Sequence, residues 1–191
     1  IKRSGDKVRM EKTSSSFEFT SHWADAANHV IPDLLNFTRT FFARHTLLNI
    51  LTRFCVFTVD EQLLVMRPYQ IAAVEAILTR IDISTNYNYG STSGGGYVWH
   101  TTGSGKTLTA FKASQLTADR DDIDKVIFVV DRKDLDYQTM KEYDRFEKGS
   151  ANENRNTKIL TRQLEDKDER GNPKRCRIIV TTIQKLSRFI D

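Results

Sequence analysis

A chain of 191 residues is long enough to bury a real core, and its 39% hydrophobic and 28% charged content excludes both a disordered polymer and a membrane-embedded one. The net charge of +4, from 29 basic and 25 acidic side chains, leans only slightly toward an anionic partner. Cys55 and Cys176 lie far apart without metal-ligand spacing, and His22, His29, His45 and His100 form no cluster, which excludes disulfide scaffolds and zinc modules and leads us to expect a reduced, cytoplasmic setting.

Residues 1–60 carry no chemical motif and read as a mainly helical linker or tail of a preceding domain. "SSSFEF" is a polar connector. The stretch from His22 to Phe57 has a mostly helical period, with Pro32 marking a break or a helix start. Leu34, Leu35, Phe41, Phe42, Leu47, Leu48, Leu51 and Phe54 are expected to bury against a neighbour. The most membrane-like run, Phe37 to Val59, is interrupted by Arg39, Arg44, His45 and Arg53, so no spanning segment is expected.

The pattern changes in residues 61–191. "RPYQIAAVEAILTRI" places a proline at a helix start and sets Ile71, Val74, Ile77, Leu78 and Ile81 on one face. "NYNYGSTSGGG" reads as a flexible loop, and "YVWH" (97–100) as a short strand leading into a glycine-rich turn. A helix should follow from about Lys106 to Leu116. "KVIFVV" (125–130) is a continuous apolar run of the kind that a parallel strand covered on both faces shows. "DLDYQTMKEYDRF" is a helix with Leu135, Met140, Tyr143 and Phe146 inward, and "CRIIV" (176–180) is a third buried strand. Alternating strands and helices predict an α/β fold with a parallel sheet.

"HTTGSGKT" (100–107) holds the chemistry. A phosphate-binding loop needs converging backbone N–H groups, a lysine for the terminal phosphates and a hydroxyl for Mg²⁺. Thr102, Gly103, Ser104 and Gly105 form the candidate cradle, Lys106 the cation and Thr107 the Mg²⁺ ligand, with Lys106 and Thr107 the catalytic candidates. His100 stands where the strict motif has its first glycine, and as a lone histidine it is expected to pack at a strand end. Upstream, "RPYQ" brings Arg67 and Gln70 to the same neighbourhood; a glutamine amide can pair bidentately with an adenine edge. "VVDRKDLDYQ" and "VTTIQKL" put Arg132, Gln138, Thr181, Thr182 and Gln184 after the carboxyl ends of strands, where α/β sheets bind ligands and where donors can reach a nucleic-acid backbone.

Taken in order, "RPYQ", "HTTGSGKT", "VVDRKDLDYQ" and "TTIQKL" resemble the Q motif, motif I, motif Ia and the TTxQK-type motif of superfamily 2 helicase-like ATPases. More narrowly, "WHTTGSGKT" with "VDRKDLDYQ" is similar to the restriction (R) subunit of Type I restriction-modification enzymes. The resemblance implies a RecA-like first motor lobe over residues 61–191, using ATP and Mg²⁺ to move duplex DNA in complex with modification (M) and specificity (S) subunits. It makes Gln70 the adenine reader, Thr102 to Thr107 the phosphate and Mg²⁺ cradle, and Arg132, Gln138, Thr181, Thr182 and Gln184 residues facing the DNA path. Another superfamily 2 helicase or translocase without a nuclease remains the alternative.

A carboxylate pair following an apolar strand, which motor ATP hydrolysis requires, is not found. "DEQL" (60–63) precedes the loop, and "DERG" (168–171) sits in a charged turn. Glu147 and Lys148 do not make a nuclease motif. The expectation is a piece of a longer polypeptide, breaking off before that carboxylate box, that on its own neither turns over ATP at motor rates nor cuts DNA.

Overall fold

The computed structural model describes residues 21–25, 27, 29–87, 90–131, 133–146, 157–166, 171 and 177–190. Two short helices come first, α1 (Leu34–Phe41) and α2 (Arg44–Arg53), followed by β1 (Cys55–Phe57) and β2 (Leu63–Val65). Asp33 caps α1 by accepting from Asn36 N–H at 2.8 Å, which holds its carboxyl below the usual range. The strands β1 and β2 form an antiparallel hairpin in which Cys55 faces Val65 and Phe57 faces Leu63. The remaining elements are α3 (Pro68–Tyr87), α4 (Lys106–Ala118), β3 (Val126–Val130), α5 (Lys133–Phe146), α6 (Thr157–Leu164), β4 (Ile178–Thr182) and α7 (Ile183–Ile190).

The parallel sheet expected from the sequence is present as β3 and β4, in register from Val126 opposite Ile178 to Val130 opposite Thr182. Strand β4 is buried along its whole length, as an apolar run in a covered parallel strand should be. Ile178 and Val180 join Val56, Phe111, Ala118, Tyr143 and Phe146 in one core cluster, with Val126 and Phe128 packed against it. Ile179 on the opposite face meets Leu160 and Leu164 of α6. A second cluster unites Phe54, Met66, Val74, Leu78 and Ala113, so α3 packs through its predicted apolar face. Leu135 and Met140 lie in α5, but their side chains are outside those described.

Three expectations are corrected. Residues 97–100 are not a strand: they have no ladder partner among the described residues, and the Tyr97 and Trp99 rings are 89% and 88% exposed. A strand exists only through its hydrogen-bonded neighbour, and alternating aromatics alone do not supply one. Strand β3 is covered on one face only, with Ile127 and Val129 exposed on the other. Finally, the apolar stripe of residues 34–54 is largely uncovered. Leu34, Leu35, Phe42, Leu48 and Leu51 are exposed, while Phe54 is buried and Phe37 and Phe41 stack on each other and against the Trp23 edge.

The hairpin is bound into the lobe that follows it. Lys112 of α4, only 6% exposed, donates to Cys55 O at 3.0 Å and to Gln115 Oε1 at 2.9 Å. Burying an ammonium group demands such partners. The neighbouring Cys55 thiol is pushed up by its burial, an effect the Lys112 charge opposes. At the hairpin turn, Val59 N–H donates to Arg145 O at 2.8 Å, and the Arg145 guanidinium reaches Asp60 and Gln62, both at 3.1 Å. A division of the chain at residue 60 therefore runs through the turn of a hairpin whose first strand belongs to the core of the later lobe. No helix among the described residues is long and apolar enough to cross a membrane.

Phe111 is fully buried where α4, α5 and the sheet meet. Phe111→Ala should lower unfolding stability by about 3–5 kcal/mol, read as a reduced urea midpoint with an unchanged slope.

Candidate nucleotide site

The glycine-rich run reaches its loop under the hold of a helix side chain. Arg80 of α3 donates from Nε to Gly95 O at 2.9 Å and from Nη2 to Ser93 O at 2.7 Å. A planar guanidinium that engages two carbonyls at once orders a segment whose glycines would otherwise leave it free.

Gly103 and Gly105 adopt φ of 79° and 77°, the left-handed region that side chains oppose. Between them the chain folds back on Thr101, whose carbonyl accepts from Ser104 N–H at 3.3 Å, from Ser104 Oγ at 2.8 Å and from Lys106 Nζ at 2.9 Å. Gly105 is the N-cap of α4, and Lys106 and Thr107 are its first two residues. A glycine offers no side-chain cap, so the N–H groups of the first turn have no intrahelical or capping acceptor. With the positive end of the helix dipole they make an anion site, and Lys106 adds a full charge. Thr102 and Gly103 are exposed at the rim, and Thr107 is half-buried.

The segment "RPYQ" opens α3 with Pro68 at its first position, as expected. The Gln70 side chain, however, is only 4% exposed and is committed at both ends. Its Oε1 accepts from Arg67 N–H at 2.9 Å, and its Nε2 donates to Ser104 O at 3.0 Å and, at 3.4 Å, to Gly105 O. Tyr69 adds a second donor, its hydroxyl reaching Ser104 O at 2.8 Å. The Tyr69 ring meets His100 edge-on with centroids 5.6 Å apart, which gives His100 the packing role expected of it. Arg67 is exposed and lines a cavity of about 790 Å³ between α3 and residues 21–54, together with Trp23, His45 and Asn49. The phosphate loop, Gln70 and Tyr69 are thus brought together, and Arg67 stands at their edge.

The residues expected along a DNA path are placed less uniformly. Thr181 and Thr182 are fully buried within β4, and the Thr182 hydroxyl accepts from Lys185 N–H at 3.3 Å at the start of α7. Gln184 is exposed and donates to Asp131 O at 3.0 Å, which ties α7 to the end of β3. Arg132 and the Gln138 side chain lie outside the described residues. Among the described residues, no group of three or more His, Cys, Asp or Glu is arranged to hold a metal.

Four contributions could not be read from spacing. The Tyr69 hydroxyl, the Arg80 clamp and the Lys112 tie are long-range in sequence, and so is the C-terminal cap of α4. There Arg177 donates to Ala118 O and, at 2.7 Å, to Arg120 O. A cation on the last carbonyls complements the negative end of the same helix whose other end faces the loop.

A sequence-family profile described as SWI2/SNF2 ATPase matches residues 69–190. The chain is 48% identical over 171 residues to a putative type I restriction enzyme endonuclease subunit, C-terminal part, of Mycoplasma pneumoniae, covering 88% of this chain and 81% of that protein. It is 46% identical over 171 residues to a type I restriction enzyme endonuclease subunit of Staphylococcus saprophyticus, covering 89% of this chain and 17% of the relative. A Staphylococcus aureus subunit of the same description is 42% identical over 191 residues, 98% of this chain and 19% of that one. The chain therefore spans less than a fifth of the length of the two staphylococcal relatives.

The two loop glycines should respond differently to alanine. At Gly103 an added Cβ meets nothing within 4 Å, so the cost is that of the left-handed backbone, about 1 kcal/mol. At Gly105 the same backbone cost applies and the Cβ falls 2.5 Å from Gln70 Nε2. Gly105→Ala should therefore be the more destabilising in chemical denaturation and should also weaken nucleotide binding more. Equal effects would mean that the Gln70 contact does not constrain the loop.

Proposed function

The chain belongs to the type I restriction enzyme endonuclease subunits, with a SWI2/SNF2-type ATPase region over residues 69–190, and from that membership we propose that it forms the ATP-binding, RecA-like first lobe of a DNA-translocating motor. The observation that carries the proposal is the loop itself. Two left-handed glycines deliver the start of α4, with Lys106 and Thr107 at its first positions. Neither a strand nor a metal cluster among the described residues competes for that chemistry.

In this reading the loop N–H groups and the α4 dipole hold the phosphates of ATP. Lys106 exchanges its bond to Thr101 O for one to phosphate oxygen, neutralising charge on the terminal groups. The Thr107 hydroxyl is the oxygen offered to Mg²⁺, which supplies charge neutralisation of the phosphates when bound. Thr102, Ser104 and the braced Gly103 and Gly105 shape the cradle, while Arg67 and Gln70 flank it. Parallel strands beside residues 97–100 would complete a RecA-like sheet and cover Tyr97 and Trp99. Duplex DNA is assigned to the face at the carboxyl ends of β3 and β4. Gln184 there, with Arg132 and Gln138, contacts the backbone, and Thr181 and Thr182 shape the end of β4 from inside. The whole subunit works in the cytoplasm with modification and specificity subunits, cutting DNA through residues elsewhere in the polypeptide.

The test measures ATP turnover by the protein in its native length. It is assayed alone, with plain duplex DNA, and with modification and specificity subunits on unmethylated DNA that bears their site. We expect turnover only in the full assembly and a loss of at least about a hundred-fold with Lys106→Ala. Turnover on plain duplex without partners would instead identify a stand-alone superfamily 2 translocase.

A further inference from the structure

We propose that Tyr69 and Gln70 are positioning residues for the phosphates rather than readers of the nucleotide base. The proposal rests on the ATP-binding reading above and assigns a role within the same site. Both side chains donate to one acceptor, the Ser104 carbonyl, at 2.8 Å and 3.0 Å. In a planar trans peptide the C=O and the following N–H point in opposite directions. Holding Ser104 O toward α3 therefore turns the Gly105 N–H away from α3. That N–H belongs to the N-cap residue of α4, where an anion is stabilised by donors and dipole together.

The Gln70 amide has little left to offer a base. Its oxygen is taken by Arg67 N–H and its nitrogen by the loop, in a side chain that is 4% exposed. Bidentate reading of an adenine edge needs both the amide oxygen and the amide nitrogen at once. Releasing them would strand a buried backbone N–H at Arg67 and a carbonyl at Ser104, which is costly in a desolvated place. The close approach of Gln70 Nε2 to the position a Gly105 Cβ would occupy, 2.5 Å, shows how closely the amide is fitted to the loop backbone. Tyr69 is fixed independently by its edge-on contact with His100, so its hydroxyl is presented to Ser104 from a held ring.

The two roles separate in what they discriminate. A brace acts on anything that carries the phosphates and is blind to the base, whereas a base reader sets the preference for ATP over GTP. The experiment measures dissociation constants for ATP, GTP and inorganic tripolyphosphate by calorimetry. It uses the protein in its native length as wild type, Tyr69→Phe and Gln70→Glu, with melting temperatures recorded alongside. Tyr69→Phe keeps the ring and removes one neutral hydrogen bond, so all three ligands should weaken by roughly five-fold, with the ATP to GTP ratio and the melting temperature unchanged. Gln70→Glu keeps the acceptor for Arg67 N–H but opposes the Ser104 carbonyl, and should weaken all three further and in parallel. A loss confined to ATP with tripolyphosphate unmoved would overturn the proposal and return Gln70 to the base; so would the absence of any change in either variant. A wild-type protein that binds neither ATP nor tripolyphosphate would remove the ATP-binding reading itself, a result distinct from both.

Discussion

Helix α4 is the member on which the other elements converge, because it is anchored at both ends and along one side by groups from distant parts of the chain. Its N-terminus emerges from a loop pinned to α3 through one carbonyl, and its C-terminal carbonyls are held by Arg177 at the entrance to β4. Between them Phe111 enters the main core and Lys112 reaches the backbone of β1. A helix whose dipole is to attract an anion must not drift or fray when the charge arrives. The contacts at its far end and flank are thus as relevant to the loop as the residues within it.

The site is consequently more continuous with its surroundings than the motif suggests. Ser104 O links the loop to the start of α3, and Arg80, further along α3, steadies the glycines that lead in. Asp82, one turn removed on the same helix, is bonded by Arg120 just beyond α4 at 2.5 Å. One helix therefore contacts the segment before the loop, the loop itself and the segment after the helix that follows it.

Much of this was legible in the sequence, and the reasons for the rest are physical. The phosphate loop, α4 and β4 announce themselves because local conformation and apolar content agree at those positions: glycines where φ is positive, and an unbroken apolar run where a strand is covered on both faces. The hairpin escaped because each strand is three residues long and its turn places Glu61 at φ 60°, a conformation usually signalled by glycine or asparagine. "YVWH" misled because its period resembles a strand while no hydrogen-bonding neighbour lies beside it. The stripe at residues 34–51 misled in the other direction, since amphipathic spacing states that a face is apolar but not that anything covers it. Within the candidate site, residue types predicted the anion chemistry of Lys106 and Thr107. The direction in which Gln70 points depended on its distance from Ser104, which spacing does not contain.

The hairpin turn at Asp60 to Gln62 is exposed and charged, the kind of surface position where modular proteins usually tolerate being spliced or nicked. Here that permissive look is deceptive. One leg of the hairpin is tied to the phosphate-loop helix through Lys112, and the turn itself to the end of α5 through Arg145. Recombination that exchanges upstream modules among such subunits would keep the lobe whole only with a crossover before Phe54, so the inherited unit is longer than its motifs.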